Sequence, residues 1–337
     1  MTMDKSTLEL ITVAGEYKKW ALEARKKFID LRLKQDDEIR TMYINITRNI
    51  TQEIRKGNLS DFNKVRLKQI LKQLTQEIKI LNEQLVFNFD EYLNKNVETA
   101  TSYSKNILIN AVETAQITKV TKAMIQKAFY DINIRTVEAY YTRVKDGLFL
   151  SDRIWSKCKK YREDMKVILQ TAVTEGQDCV KTAKMLDKYV LKGKKTLVDE
   201  YPNMIKRIGN RVPQNISYEA LRLARTEMTS AYGDGVLASA MINPATIGIQ
   251  FMLSMAHPHT DICDEICGED NFGLGKGVYP INEAPAYPFH PHCLCIMLTV
   301  VQPLDILVGR LKNWIKNPMN DTPLEMWYQE VYGNLNF

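Results

Sequence analysis

The chain has 337 residues and a formal net charge of +6, with 45% hydrophobic and 26% charged residues. These proportions are those of a globular protein, and the length allows a substantial core and suggests more than one domain. The first twenty residues mix acidic and basic side chains, unlike a secretory signal, and every apolar run is well short of a membrane span of about 20 residues. We therefore expect synthesis inside the cell and no membrane association.

The first two thirds of the chain are predicted to be helical. All 11 prolines lie at or after Pro202, and the sequence before it is rich in residues that favour helix. We expect a long helix over residues 5–56 that stops at the Gly57-Asn58 pair, with a second helix starting at Ser60. The second helix has an apolar seam with heptad spacing, formed by Leu67, Leu71, Leu74, Ile78, Leu81 and Leu85. The seam is under three heptads long, which favours an intramolecular helical hairpin over a coiled-coil oligomer.

The later elements are shorter and more varied. Further helices are predicted over residues 119–146, 151–175 and 177–191, and another over NISYEALRLARTEMTSAYGDGVLASAM with Ser217 as its N-cap. The apolar runs IGIQFMLSM and CIMLTVV indicate strands of a small sheet. Two amphipathic helices follow, and Thr322 is expected to cap the second. The predicted fold class is mainly α with a small α+β C-terminal domain, in which a long N-terminal helical hairpin or bundle precedes a compact Cys/His-rich head.

The charge of the chain changes sign near residue 200. Residues 1–200 contain 37 Lys and Arg against 27 Asp and Glu, a net +10, whereas residues 201–337 contain 9 against 13, a net −4. We therefore predict an elongated basic helical region over 1–200, a head domain over 201–302 and a helical extension over 303–337. A basic helical region gains free energy from a polyanion such as double-stranded DNA by releasing counterions.

Two stretches of this region concentrate the cations, RIWSKCKKYR at 153–162 and KYVLKGKKT at 188–196. The candidate DNA or partner contacts are Arg153, Lys157, Lys159, Lys160, Arg162, Lys188, Lys192, Lys194 and Lys195. The alternative is that these side chains only solvate an exposed helix face.

Residues 257–295 hold all four histidines and four of the six cysteines. Zinc prefers four nitrogen or sulfur ligands, and pairs of ligands joined by a long loop commonly supply them. The simplest set is Cys263, Cys267, His290 and Cys293. Cys295 is an alternative to Cys293, since alternate residues of a strand share a face and only one of the two sulfurs is then expected to face the metal. His257 is a further alternative ligand, and His259 and His292 are weaker candidates.

Two interpretations without a metal stay open for the same residues. The cysteines are then either packing residues or partners in disulfides, and a disulfide requires an oxidising environment. A metal explains one further property of the segment, which is rich in glycine from Gly268 to Gly277 and in proline from Pro280 to Pro291. Such a segment buries little surface by itself and is stabilised by a metal ion.

The same sequence favours a structural zinc site over a catalytic one. Four strong ligands leave no open position for water, and the chain has neither a His-Glu-x-x-His motif nor a Gly-x-Ser-x-Gly motif. Arg225 and Glu227 lie close together on a predicted helix and are expected to form a structural ion pair. We predict that the chain is not an enzyme. The alternatives are a zinc-dependent nuclease, with Asp264, Glu265, Glu269 or Asp270 as its base, and a zinc-stabilised DNA-binding protein.

The C-terminal sequence resembles a known family. YEALRLARTEMTSAYGDG, then HPHTDICDEICGEDNFGLGKGVYP and YPFHPHCLC, are similar to the head morphogenesis, or minor head, proteins of tailed bacteriophages, which contain a phage Mu F-like domain. The similarity covers about residues 215–300, and DGLFLSDRIW at 146–155 resembles the helical region before that domain. Leu294 stands where the family often has Arg, and the family varies at the position of Cys267.

The resemblance implies a minor capsid protein that acts at the portal vertex during procapsid assembly and contacts packaged double-stranded DNA. Its partners would be the portal, capsid and scaffold proteins, with no small-molecule substrate. The implied location is the host cytoplasm during assembly and then the virion. The residues that the resemblance identifies are Cys263, His290, Cys293, Cys295, Arg225 and Glu227.

Overall fold

The computed structural model describes residues 4–56, 64–198, 200–255, 257, 259–291 and 293–333. It confirms the predicted fold class, since helices dominate and a three-stranded antiparallel sheet lies near the C-terminus. The helices before the sheet are α1 Lys5–Ala14, α2 Lys18–Arg55, α3 Lys64–Ala115, α4 Lys122–Thr142, α5 Leu150–Thr174, α6 Cys179–Lys192, α7 Pro202–Ile208 and α8 Tyr218–Met241. They are followed by β1 Thr246–Met252, α9 Ile262–Gly268, β2 Val278–Tyr279, β3 Ile296–Val301, α10 Leu304–Lys316 and α11 Thr322–Tyr332.

The contacts divide the chain into two compact units. The sheet unit comprises Met1–Arg32, Tyr92–Thr142 and Arg225–Phe337, and the helical unit comprises Leu33–Glu91 and Arg143–Ala224. The division of the sequence at residues 200 and 302 stays a prediction, and the two contact-based units cut across it. Among the described helices, none combines the length and apolar character needed to cross a bilayer.

Within the helical unit, α2 and α3 form the predicted antiparallel hairpin. The amide of Gln35 donates to Asn88 over 3.1 Å, and that of Asn49 donates to Glu77 over 3.0 Å. The rest of the seam is mainly apolar, and its buried members include Ile39, Tyr43, Ile46, Ile50, Ile70, Leu74, Ile78, Leu81 and Leu85. Polar pairs within an apolar seam define the register of two helices, because a shifted register would bury them without partners.

In the sheet unit, β1 is the central strand and pairs antiparallel with β2 and β3. Because side chains alternate along a strand, Ile249 and Phe251 face one side, where they pack with Tyr232 and Val236 of α8. Met252 faces the other side and packs in a cluster with residues of α1. Helices therefore cover both faces of the sheet. This packing positions the segment that follows β1 and the segment that precedes β3.

One glycine explains how closely α8 approaches α3. A Cβ atom at Gly235 would lie 2.8 Å from the Cβ atom of Ala100 and 3.2 Å from the carbonyl oxygen of Val97. These separations are too short for a side chain, so glycine is required where the two helices cross.

Four local predictions need correction or fall outside the described residues. The helix expected over 5–56 is interrupted by a 3₁₀ turn at Gly15–Tyr17, where Gly15 has a φ of +53° that favours glycine. Asp321, rather than Thr322, is the N-cap of α11, because its carboxylate accepts the Leu324 N–H over 3.1 Å. Helices α7 and α9 and strand β2 were not predicted. The stop at Gly57-Asn58 and the restart at Ser60 lie outside the described residues.

Candidate metal centre

Helix α9 positions the first two cysteines of the cluster. Asp261 is its N-cap and accepts the Cys263 N–H over 2.7 Å, while Asp264 accepts the Asp261 N–H over 2.9 Å. This reciprocal arrangement is a capping box, and the spacing of aspartates in DICD is the sequence signal that predicts it. Cys263 and Cys267 are one helical turn apart and therefore project from the same face of α9.

The other two cysteines lie at the entrance to β3. Cys293 and Cys295 are both buried, and the hydroxyl of Tyr287 donates to the Cys295 carbonyl over 2.6 Å. The rings of Tyr287 and Phe289 pack against Phe251 of β1 and against the cysteines. The aromatic packing thus fixes the backbone that presents these thiols.

The structure brings the thiols of three cysteines together. Cys263, Cys293 and Cys295 each offer a sulfur, all within 4.8 Å of one another, and the Cys263 and Cys293 sulfurs are 3.8 Å apart. In tetrahedral zinc coordination, Zn–S bonds of about 2.3 Å place two sulfurs about 3.8 Å apart. Cys267 packs against the three and contacts the Cys295 thiol. The prediction that only one of Cys293 and Cys295 faces the cluster is therefore corrected.

Hydrogen bonds between thiols, together with burial, raise the pKa of Cys263, Cys293 and Cys295 and keep these three neutral without a cation. Desolvation raises the pKa of Cys263 to about 12, and the hydrogen bond with Cys295, followed by burial, raises the pKa of Cys293. The pKa of Cys295 is raised mainly by its hydrogen bond with Cys267. A thiolate is the form that binds a metal, so metal binding would displace these protons.

Two histidines and an aspartate border the thiols. His290 Nε2 lies 3.1 Å from the Cys263 sulfur and 3.4 Å from Asp261 Oδ2. His257 Nε2 lies 2.9 Å from Asp264 Oδ2 and 3.6 Å from Asp261 Oδ1. Both carboxyl groups have a pKa below the ordinary value, Asp261 because it accepts the Cys263 N–H and Asp264 because it accepts the Asp261 N–H. They are therefore anionic at neutral pH. His259 is exposed, and His292 lies outside the described residues.

A positive-φ glycine joins α9 to the sheet. Gly277 has a φ of +68°, donates to the Glu269 carbonyl over 2.8 Å and accepts the Phe251 N–H over 2.9 Å. A Cβ atom there would lie 2.5 Å from the Phe251 carbonyl oxygen. Glycine at this position therefore lets the chain run directly against β1.

Four of the nine predicted basic contacts pair with carboxylates within the helical unit. The pairs are Lys157 with Glu219, Lys160 with Asp164, Arg162 with Glu163, and Lys188 with Glu200. Arg153 is half-buried. Lys159, Lys192 and Lys195 are exposed and form no ion pair with another described residue.

The prediction for Lys194 is corrected by its burial. Lys194 is 7% exposed, and its ammonium group donates to the Gly209 carbonyl and to the Val212 carbonyl. A lysine whose donors are satisfied by backbone carbonyls inside the fold stabilises a turn and is not available to a polyanion.

Glu227 has a partner that the sequence did not reveal. Its buried carboxylate accepts a hydrogen bond from the Tyr140 hydroxyl, and burial raises the pKa of Tyr140 well above its ordinary value. Tyr140 lies on α4, far from Glu227 in sequence, so helix periodicity does not indicate the contact. The ion pair between Arg225 and Glu227 stays a prediction.

Comparisons with known proteins leave the family open. No family model, curated protein or solved structure matches the chain. Function is therefore argued from the residues of the site.

Proposed function

We propose that the chain is a structural assembly protein, a minor head protein of a tailed bacteriophage, whose Cys/His cluster holds a structural zinc ion. The observation that carries the zinc proposal is the convergence of the Cys263, Cys293 and Cys295 sulfurs, with Cys267 in contact with Cys295. The resemblance of residues 215–300 to minor head proteins supports the phage role.

The donor set favours zinc over harder cations. Thiolates suit Zn²⁺, whereas Mg²⁺ and Ca²⁺ prefer oxygen ligands. Four cysteine thiolates would complete a tetrahedron and leave no open position, which is the arrangement of a structural site. The ion would connect α9 to the entrance of β3. Its ligands Cys263 and Cys293, one from each segment, are 30 residues apart in the sequence.

Elemental analysis tests the zinc proposal. We expect purified protein to contain zinc. The Cys293→Ser variant should lose the zinc ion that the cysteine thiols bind, and it should unfold at a lower temperature than the wild type. Cys158→Ser is the matched control, because Cys158 is a buried thiol of the helical unit beside Asn82. Zinc-free wild-type protein, or equal zinc in both variants, would contradict the proposal.

Co-expression tests the assembly role. Expressed with the portal protein of the same phage, the chain should co-purify as a complex that survives gel filtration. Separate elution of the two proteins at micromolar concentrations, with both folded, would count against a portal-associated role.

A nuclease assay separates this role from the enzymatic alternative. We expect supercoiled plasmid to stay intact when it is incubated with zinc-loaded protein and Mg²⁺. Cleavage by the wild type that Glu265→Ala or Glu269→Ala abolishes would overturn the structural proposal, since a residue-dependent activity excludes a contaminating nuclease.

A further inference from the structure

A second group of potential ligands shares Cys263 with the thiols. His257, Asp261, Cys263 and His290 each offer a ligand atom, and these atoms all lie within 4.8 Å of one another. Zinc bonds to nitrogen and oxygen of about 2.0–2.1 Å place two such ligands about 3.4 Å apart in a tetrahedron. The separation of 3.4 Å from His290 Nε2 to Asp261 Oδ2 is close to that value.

The ring of His290 is oriented as a metal ligand. Its Nδ1 lies 2.9 Å from the Pro291 carbonyl oxygen, which can only accept a hydrogen bond. Nδ1 of a neutral ring therefore holds the proton, and the lone pair of Nε2 points toward Cys263 and Asp261. Metal-binding histidines typically use one nitrogen in this way and donate from the other to a backbone carbonyl or carboxylate.

The number of donors exceeds what one zinc ion takes. The cluster offers four thiols, two imidazoles and the Asp261 carboxylate, whereas a structural zinc ion takes four ligands. If Cys263 is shared, the donors divide into two complete sets. One set is the three converging thiols of Cys263, Cys293 and Cys295, with Cys267, which contacts Cys295, as the fourth donor, and the other is Cys263, His257, His290 and Asp261.

We propose that the cluster is a binuclear centre in which the Cys263 thiolate bridges two divalent cations of the zinc type. The inference rests on the proposed zinc ion of the four thiols and adds a second ion, bound by His257, His290 and Asp261. A Zn²⁺ ion with four thiolates has a net charge of −2, which is costly to bury. A second dication beside Cys263 offsets that charge. With the Asp261 carboxylate included, the two ions and all their ligands have a net charge of −1.

The two sites differ in exposure and in ligand type. Cys263, Cys293 and Cys295 are buried, whereas the side chains of His290 and Asp261 are 32% and 39% exposed. The outer ion has one sulfur and a solvent-accessible oxygen ligand, so it binds more weakly and exchanges faster than the inner ion. A chelator should remove the metal in two steps, with the outer ion first.

Metal stoichiometry of the full-length protein tests the proposal. Metal-free protein titrated with zinc should bind two equivalents, and the variants His257→Gln and Asp261→Asn should each bind one. Asparagine is also a good N-cap, so Asp261→Asn preserves the start of α9. His259→Gln and Asp270→Asn alter exposed neighbours outside the cluster, and both should still bind two equivalents.

Cadmium-113 NMR identifies the ligands independently. Two signals are expected from the fully loaded wild type, one from a sulfur-rich site and one from a site with mostly nitrogen and oxygen ligands. His257→Gln should lose only the second signal, and Cys293→Ser should lose or shift the first.

The outcomes separate the two proposals. One equivalent in the wild type, dependent on Cys293 but not on His257 or Asp261, overturns the binuclear centre and leaves the structural zinc ion. Two equivalents in both His257→Gln and Asp261→Asn also overturn it. Wild-type protein that binds no zinc overturns both proposals.

Discussion

Asp321 shows how one carboxylate joins two helices of the sheet unit. It accepts hydrogen bonds from Nε and Nη2 of Arg310 over 2.8 and 3.0 Å and also caps α11. The hydrogen bonds from Arg310 hold the pKa of Asp321 below its ordinary value. Because the pKa is lower in the folded state, the stabilisation is present above the unfolded-state pKa of about 3.9 and is lost as the pH falls through the folded-state value.

Asp321→Asn should lower the free energy of unfolding by about 1–3 kcal/mol at pH 7, because a charge-assisted pair is lost while the cap is kept. The difference from wild type should shrink below a pH of about 4. Urea unfolding followed by tryptophan fluorescence measures it, since Trp314 and Trp327 lie in the adjoining core.

Asp37→Asn is the control for this prediction. The Asp37 side chain is 81% exposed and lies 3.9 Å from Arg40, so its substitution should change the stability by less than about 0.5 kcal/mol. A loss in Asp321→Asn that is equal at neutral and acid pH would contradict the electrostatic explanation.

Among the elements, the hairpin of α2 and α3 is the most strongly determined by local sequence. The heptad spacing predicts that Leu74, Ile78, Leu81 and Leu85 face the partner helix, and all four are buried. Leu67 and Leu71 are only half-buried, and Ile70 takes the corresponding place in the core. The seam drifts because a straight α-helix has 3.6 rather than 3.5 residues per turn.

Leu81→Ala tests the hairpin. Leu81 is fully buried, so its truncation should lower the free energy of unfolding by about 2–5 kcal/mol. Leu33→Ala is the matched control, because Leu33 lies on α2 with 60% of its surface exposed, and it should change the stability by less than about 0.5 kcal/mol. Urea unfolding followed by far-ultraviolet circular dichroism gives both values, and similar losses would exclude the hairpin core.

At the scale of the whole molecule, fewer cations of residues 1–200 are available to bind a polyanion than the sequence suggests. Four of the nine predicted contacts pair with carboxylates and Lys194 is buried. Of the nine predicted contacts, Lys159, Lys192 and Lys195 are exposed and form no ion pair with a described residue. If the chain contacts packaged DNA, as the resemblance implies, these three are the predicted contacts that should contribute to the salt dependence.

Substituting Lys159, Lys192 and Lys195 together by Gln should reduce the slope of log affinity for double-stranded DNA against log salt by about 2.7, since each phosphate contact contributes about 0.9. Fluorescence anisotropy at several salt concentrations measures the slope. Lys188→Gln is the control, because Lys188 already pairs with Glu200, and its slope should stay close to that of the wild type. An unchanged slope in the triple variant would exclude these lysines as phosphate contacts.

The sequence by itself determined the features that depend on neighbouring residues. Heptad spacing predicted the hairpin, short apolar runs rich in strand-favouring residues predicted β1 and β3, and the concentration of Cys and His predicted where a metal could bind. Tertiary structure decided which of those side chains meet. Cys293 and Cys295 both face Cys263 because the packing of Tyr287 and Phe289 on β1 sets the backbone before β3. Such contacts join residues distant in sequence, and no local periodicity encodes their separation.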